Sequence, residues 1–169
     1  RDPAQMLTLH VFDCLAVAPL LRRHLGGSEG KRLLDVGSGG GLPGVVLAIA
    51  DPALEVACVD TVGKKAAFVT QAAAELGLPN LISIHSRVEQ MAADRYDVIA
   101  SRAYAALPDF VQSTRSLLSE TGVWLAMKGK VPREEIAALP QDVEVFHVEQ
   151  IVVPGLQAER CLVWMRAPH

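Results

Sequence analysis

The sequence predicts an α/β protein in which a mostly parallel sheet carries helices on both faces. Short apolar runs typical of buried strands alternate with longer segments of helical periodicity, and glycines and prolines separate them. The composition points the same way, because half of the 169 residues are hydrophobic and 21% are charged, which suits a well-packed domain. We expect residues 1–169 to form a single domain.

The first element is a predicted helix over residues 4–25, which Pro19 should bend or restart. Two late segments, 143–150 and 160–166, have no long helix between them, so we expect them to pair as a hairpin or antiparallel edge. The other strands are predicted at 32–36, 54–59, 81–85, 96–100 and 123–127. The other helices are predicted to begin near Pro43 and to span 64–76, 108–118 and 132–139.

Composition and charge exclude several classes of protein. The three cysteines are far apart and the five histidines are scattered, so we expect small buried thiols in a reducing cytoplasm and no metal site. No apolar run approaches the roughly 20 residues that a membrane span needs. A net charge of −3 is not typical of a general nucleic-acid binder, so an RNA site would have to be a local basic patch.

A glycine-rich loop follows the first strand directly, with glycines at positions 37, 39, 40, 41 and 44. Glycine permits backbone angles that other residues resist and lets a ligand approach the main chain closely. The helix that follows directs its positive end at the loop. In a parallel sheet of this kind, ligands bind outside the carboxyl ends of the strands. The loop therefore predicts a nucleotide-like cofactor at this edge.

Two cofactors compete for the loop, because residues 39–44 also match the dinucleotide fingerprint G-x-G-x-x-G. Asp35 lies two residues before Gly37, where an acid would attract the cationic methionine end of S-adenosylmethionine and repel a pyrophosphate. The loop also matches G-x-G-x-G from Gly37. Asp60 ends the second strand, where a carboxylate can accept both ribose hydroxyls, although NAD sites place an acid there too. The set favours S-adenosylmethionine.

Two downstream segments extend the predicted site. Residues 87–89 follow the third strand, where an acid or a backbone amide can recognise the adenine amino group. Residues 101–103 follow the fourth strand and would face the transferring methyl group, so Arg102 would lie where substrate, cofactor carboxylate or RNA phosphate must pass.

With these motifs in place, the chain resembles the bacterial small-subunit ribosomal RNA guanine-N7 methyltransferases, also called glucose-inhibited division protein B. The match runs in order along nearly the whole chain. It is carried by residues 1–3 with Met6, Leu7 and His10, by 35–39 and 41–44, by Asp60 with 63–65, by 86–89, by 97–98 with 101–103, by 128–129, and by 153–154 with 159–160.

The resemblance implies the seven-stranded, Rossmann-like fold of the class I S-adenosylmethionine-dependent methyltransferases. It implies that Gly37, Leu42, Val88, Glu89 and Arg102 contact the cofactor, and the glycine loop adds Asp35, Gly39, Gly41 and Asp60 to the predicted cofactor set. It also implies a guanine in a loop of 16S ribosomal RNA as target. The family has a helical segment before the Arg-Asp-Pro element at which this sequence begins, so we expect residues 1–30 to be a helical cap truncated upstream.

No pair of residues resembles a nucleophile with its base, which agrees with chemistry at guanine N7 because that nitrogen carries no proton. We expect positioning residues and no acid–base catalyst. Arg102, Lys128 and Arg160 are the candidate RNA contacts, and the partner would be 16S ribosomal RNA or the 30S subunit, bound by a monomer. Three alternatives stay open: a methyltransferase acting on a small molecule or a protein, a non-catalytic S-adenosylmethionine-binding module, and an NAD-dependent oxidoreductase.

Overall fold

The computed structural model describes residues 3–37, 42–92, 94–102, 104–151 and 159–168, with side chains in the first helix from residue 11 onward. Gly39 and Gly41 of the predicted cofactor set lie outside the described residues. The strands are β1 (Arg32–Val36), β2 (Glu55–Asp60), β3 (Leu81–His85), β4 (Tyr96–Ser101), β5 (Leu118–Lys128), β6 (Glu144–Gln150) and β7 (Cys161–Arg166). The helices are α1 (Pro3–Leu25), α2 (Gly44–Ala50), α3 (Gly63–Glu75), α4 (Leu107–Thr114) and α5 (Arg133–Ala137), with 3-10 turns at Val88–Gln90 and Arg115–Leu117.

One seven-stranded sheet organises the described chain, in the order β3-β2-β1-β4-β5-β7-β6. The first five strands pair in parallel, whereas β7 pairs antiparallel with both β5 and β6. The prediction of a Rossmann-like, mostly parallel sheet with a closing antiparallel pair is therefore confirmed. Strand order reverses between β1 and β4, and this is where the carboxyl ends of the strands leave a crevice.

The inner strands of the sheet, which are β1, β2, β4, β5 and β7, are buried on both faces over most of their length, which explains their continuous apolar runs in the sequence. On β1, Leu33 packs into a cluster with α1 and α2, while Leu34 packs on the opposite face with α4. Both leucines are fully buried, and burying such a side chain stabilises a fold by roughly 1.5–3 kcal/mol. The alternation along β1 fixes which face Asp35 occupies: it lies on the side of α1 and α2.

Three sequence predictions need correction. Helix α1 is continuous through Pro19, so it does not restart there. The predicted helix over 108–118 ends at Thr114, whose buried hydroxyl donates to the Phe110 carbonyl at 2.6 Å and accepts from Trp124 Nε1 at 2.9 Å. Strand β5 consequently begins at Leu118, five residues before the predicted start. The cysteines are free and buried, as predicted.

Candidate cofactor and acceptor site

The turn after β1 shapes the floor of the candidate site. Gly37 adopts a φ of 65°, a left-handed conformation that side-chain-bearing residues resist, and its N–H donates to the Val59 carbonyl at 3.0 Å. A Cβ on Gly37 would lie 2.9 Å from Tyr104 Cδ1. The ring of Tyr104 is thus packed directly on this turn, and only glycine leaves room for it.

An open cleft begins at this turn and follows the carboxyl ends of β1, β2 and β3. It contains four of the predicted cofactor residues, Gly37, Asp60, Val88 and Glu89. The other lining residues are Val36, Val59, Thr61, Ser86, Arg87 and Tyr104. Apolar side chains and a carboxylate thus share one crevice, a combination that suits a nucleoside.

Asp60 is one of two acids that line this cleft, together with Glu89. It ends β2, is 8% exposed, and its Oδ1 accepts a hydrogen bond from the Val62 N–H at 2.8 Å. That bond holds the carboxylate at the strand end, close to the first turn of α3. A carboxylate held in this way can accept hydrogen bonds from sugar hydroxyls.

Asp35 lies one position before the end of β1, on the α2 side. It is fully buried, and its Oδ2 accepts from the Gly44 N–H at 2.8 Å and lies 3.9 Å from Cys58 Sγ. Its Oδ1 has no hydrogen-bond partner among the described residues. Burial raises the pKa of Asp35 to about 8, although the Gly44 N–H and the nearby Arg102 oppose the rise.

Gly44 makes this arrangement possible. A Cβ at Gly44 would lie 2.3 Å from Cys58 Sγ and 2.9 Å from Asp35 Oδ2, so the backbone of α2 can approach Asp35 only as glycine. Gly44, the last glycine of the sequence motif, therefore serves the close packing of strand against helix.

These features fit S-adenosylmethionine. The buried oxygen of Asp35 without a partner is an acceptor for a cationic group, and the carboxylate of Asp60 is an acceptor for a ribose. Between them lies the turn at Gly37, where the main chain is exposed to a ligand. Within the described ranges, no three potential ligands come together as a metal site would require.

Arg102 follows β4 and is half-buried. Its charge acts on two groups of neighbouring elements: burial raises the pKa of the Cys14 thiol to about 12 and Arg102 opposes that rise, as it does for Asp35. Arg102 is thus close enough to Asp35 and to Cys14 of α1 for its charge to influence both, but it is not among the described residues that line the cleft. Leu42, another predicted cofactor residue, packs against the core beside α1 and α2.

Lys128, a predicted RNA contact, has protein partners at the end of β5. Its Nζ donates to Glu135 Oε1 at 3.0 Å and to the Ala105 carbonyl at 3.2 Å. The same Glu135 oxygen accepts from the Leu107 N–H at 2.9 Å. Lys128 therefore ties α5 to the segment that follows β4.

Arg160, the third predicted RNA contact, pairs with an acid of α1. Its Nε donates to Asp13 Oδ2 at 2.7 Å, and its Nη1 donates to the Glu159 carbonyl at 2.8 Å. Asp13 is 2% exposed, and the Arg160 side chain is 25% exposed. The pair fastens the middle of α1 to the start of β7.

Sequence reasoning missed three residues of this region: Tyr104, Asp13 and Glu135. Tyr104 stands two positions after Arg102, so its place in the cleft could have been suspected from the strand end alone. Asp13 and Glu135 gave no such signal, because each acts through a partner that is distant in sequence or lies on another element.

The family described as "rRNA small subunit methyltransferase G" matches residues 1–163. The curated "Ribosomal RNA small subunit methyltransferase G" of Acidovorax ebreus is 62% identical over 173 residues, covering 98% of this chain and 76% of the relative. The protein of the same name from Polaromonas sp. is 60% identical over 169 residues, covering 98% of this chain and 74% of the relative.

Solved structures show the same fold at low identity. A "SAM dependent methyltransferase" from Aquifex aeolicus superposes with a TM-score of 0.68 at 17% identity, covering 98% of both chains. TrmN from Thermus thermophilus gives a TM-score of 0.70 at 19% identity, over 92% of this chain and 52% of that one. The predicted methyltransferase fold is thereby confirmed, and the family match agrees with S-adenosylmethionine as the cofactor. This chain belongs to the rRNA small subunit methyltransferase G family.

Proposed function

We propose that this protein methylates N7 of a guanine in a loop of 16S ribosomal RNA, using S-adenosylmethionine. The observation that carries the proposal is the cleft at the carboxyl ends of β1, β2 and β3, where Gly37, Asp60, Val88 and Glu89 come together in a chain of this family. The relatives' names specify small-subunit ribosomal RNA; the guanine and its N7 atom are our narrower proposal.

We assign the cofactor to nine residues with distinct tasks. Asp60 would hold the ribose, Val88 and Glu89 the adenine, and Asp35 with Arg102 the methionine end. The turn would enclose the cofactor through main-chain contacts. The remaining members of the set are Gly37, Gly39, Gly41 and Leu42.

The chain's part in the reaction is to position the reactants. When bound, the cofactor supplies a methyl group on a sulfonium, which the lone pair of guanine N7 can accept with no proton to remove. The residues have only to align the two reactants and exclude water, and alignment alone lowers a barrier by up to roughly 7–11 kcal/mol in favourable cases. Arg102, whose charge acts on the buried Asp35, is the residue that we propose orients both.

On the acceptor side we propose that the target guanine is splayed out of a single-stranded loop, since proteins read RNA sequence mainly from unpaired bases. Arg102 and the exposed part of Arg160 would contact RNA phosphates, and Lys128 would be a further candidate contact. We further propose a monomer that acts in the cytoplasm on free RNA or on the 30S subunit. Among the described residues, no helix is both long and apolar enough to cross a membrane.

The test is transfer of tritium from labelled S-adenosylmethionine to 16S RNA and to 30S subunits that lack the modification, followed by nuclease mapping. Label at N7 of one loop guanine is expected. Label on small molecules or on protein only would redirect the proposal to another acceptor, and cofactor binding without transfer would make the chain a binding module.

Asp60→Ala should weaken the binding of S-adenosylhomocysteine, measured by titration. An unaltered dissociation constant would remove Asp60 from the ribose role.

A further inference from the structure

The segment between β4 and α4 forms one wall of the cofactor cleft. Tyr104 lines the cleft, and its ring lies against Gly37 so closely that a Cβ there would be 2.9 Å from Cδ1. The Tyr104 N–H donates to Ser101 Oγ at 3.1 Å, and its ring meets Phe110 edge-on with centroids 6.5 Å apart. The position of this ring therefore sets the width of the cleft at the glycine turn.

Two charged side chains, Lys128 and Glu135, form hydrogen bonds with the backbone of the same segment. Lys128 Nζ donates to the Ala105 carbonyl at 3.2 Å, and Glu135 Oε1 accepts from the Leu107 N–H at 2.9 Å. The two side chains pair with each other at 3.0 Å, with 20% and 32% of their surfaces exposed. Charge-assisted bonds of this kind are stronger than neutral ones, and partial burial shields them from solvent screening.

We propose that Glu135 is a positioning residue for the cofactor cleft. With Lys128 it clamps residues 105–107, and through them it keeps the Tyr104 ring against Gly37, so that cofactor affinity depends on a side chain of α5 that does not itself line the cleft. This inference rests on the cofactor site of the proposed function. It also assigns Lys128 a task that is independent of RNA.

The backbone bonds on both sides of Tyr104 explain how Glu135 can affect the cleft without lining it. Tyr104 is followed within three residues by the start of α4, so its backbone is anchored on one side by Ser101 and on the other by the clamp. Removing the charge of Glu135 weakens both bonds together, because the first N–H of α4 then loses a charged acceptor and Lys128 loses the carboxylate that holds it beside the Ala105 carbonyl. The ring then loses the backbone that fixes its angle, and the cleft wall loses its preorganised position.

The test is a double-mutant cycle read by calorimetric titration with S-adenosylhomocysteine, which needs no RNA. Glu135→Gln keeps the shape of the side chain and removes the ion pair, and Tyr104→Leu removes the ring. We expect each single change to raise the dissociation constant, by about threefold and about tenfold respectively, and the double variant to resemble Tyr104→Leu alone because coupled residues are not additive. Lys128→Gln should reproduce Glu135→Gln.

Asp142→Asn is the matched control, because it breaks an ion pair with Arg115, which follows the carboxyl end of α4. This variant should leave the dissociation constant unchanged. Circular dichroism checks that each variant is folded; if Glu135→Gln is not, the cycle is run with Lys128→Gln. Additive effects of Glu135 and Tyr104, or unchanged affinity in both clamp variants, would overturn the inference. A native protein that does not bind S-adenosylhomocysteine would instead refute the cofactor site of the proposed function.

Discussion

The two halves of the sheet edge differ in how their functional residues are held. The cofactor half, at the ends of β1, β2 and β3, carries acids and glycines fixed by main-chain bonds, such as Asp35 to Gly44 and Asp60 to Val62. The proposed acceptor half, at the carboxyl ends of β4 and β5 and the start of β7, carries cations, of which Lys128 and Arg160 pair with acids from other elements. Local geometry builds the first half, and long-range charge pairs build the second.

The difference has a consequence for RNA binding. Two of the three cations predicted to meet phosphate are partly neutralised by Glu135 and Asp13 before any RNA arrives. Because the protein also carries a net charge of −3, its affinity for RNA should depend on shape and on few phosphate contacts, with a correspondingly shallow dependence on salt. The following changes test the two halves in turn.

At a fixed pH, the largest expected effect is on the stability of the proposed acceptor half. Arg160→Ala leaves the buried carboxylate of Asp13 without its partner, and breaking a buried pair costs about 3–5 kcal/mol; the partial exposure of Arg160 should bring the loss nearer to about 2–3 kcal/mol. Urea denaturation measures it. Arg166→Ala, which removes an exposed pair between β7 and Glu144 of β6, should cost less than about 1 kcal/mol. Equal losses of stability in Arg160→Ala and Arg166→Ala would contradict the expectation that the buried pair contributes more than the exposed one.

Gly44→Ala probes the cofactor half by sterics. The new methyl would meet Cys58 Sγ and Asp35 Oδ2 at distances that atoms cannot tolerate, so α2 or β1 must shift, and overpacking of this kind costs about 1–3 kcal/mol. Thermal denaturation gives the loss, and Gly77→Ala, where a Cβ meets nothing within 4 Å but φ is positive, separates crowding from backbone strain. A Gly44→Ala protein as stable as the native one would show that this packing is loose.

Arg102→Ala tests the residue that joins the two halves. Methyl transfer to 30S subunits should fall at least about tenfold, equivalent to about 1.4 kcal/mol, because Arg102 is proposed to orient both reactants. Steady-state kinetics with the fold checked by circular dichroism gives the value. Native turnover in a folded variant would withdraw Arg102 from the site.

Asp35→Asn should change how stability depends on pH. Because the pKa of Asp35 is raised in the folded protein to about 8, the folded state keeps a proton that the unfolded chain releases near pH 4. Its contribution therefore lowers the free energy of unfolding as pH rises from about 4 to 8, by at most about 1.4 kcal/mol per unit. Asp35→Asn has no such proton to lose. Its free energy of unfolding should therefore rise relative to that of the native protein as the pH increases from about 4 to 8. Urea titrations from pH 5 to pH 8 measure this. If the free energies of unfolding of the native protein and the variant change in parallel, the raised pKa of Asp35 is contradicted.

The sequence was sufficient for the sheet and for part of the candidate site, since four of the nine predicted cofactor residues line the cleft. Strands β1 and β3 fall at the predicted residues because apolar runs bounded by glycine, asparagine or charged residues are local signals. The end of α4 could not be predicted, since it depends on the Thr114 hydroxyl meeting Trp124, ten residues later in the chain. Likewise Gly37 and Asp60 were identifiable from spacing, whereas the clamp of Glu135 and the burial of Asp13 depend on which elements the fold brings together.

The position of β7 bears on the order in which the sheet can assemble. In the described chain β6 hydrogen-bonds to β7 alone, and β7 lies between β5 and β6. During synthesis from the amino terminus, β6 therefore waits as an unpaired edge, open to other strands. Only when β7 arrives can Arg160 reach Asp13, 147 residues earlier, and give the buried acid of α1 its partner. Completion of the sheet and neutralisation of that acid thus become a single late event in folding.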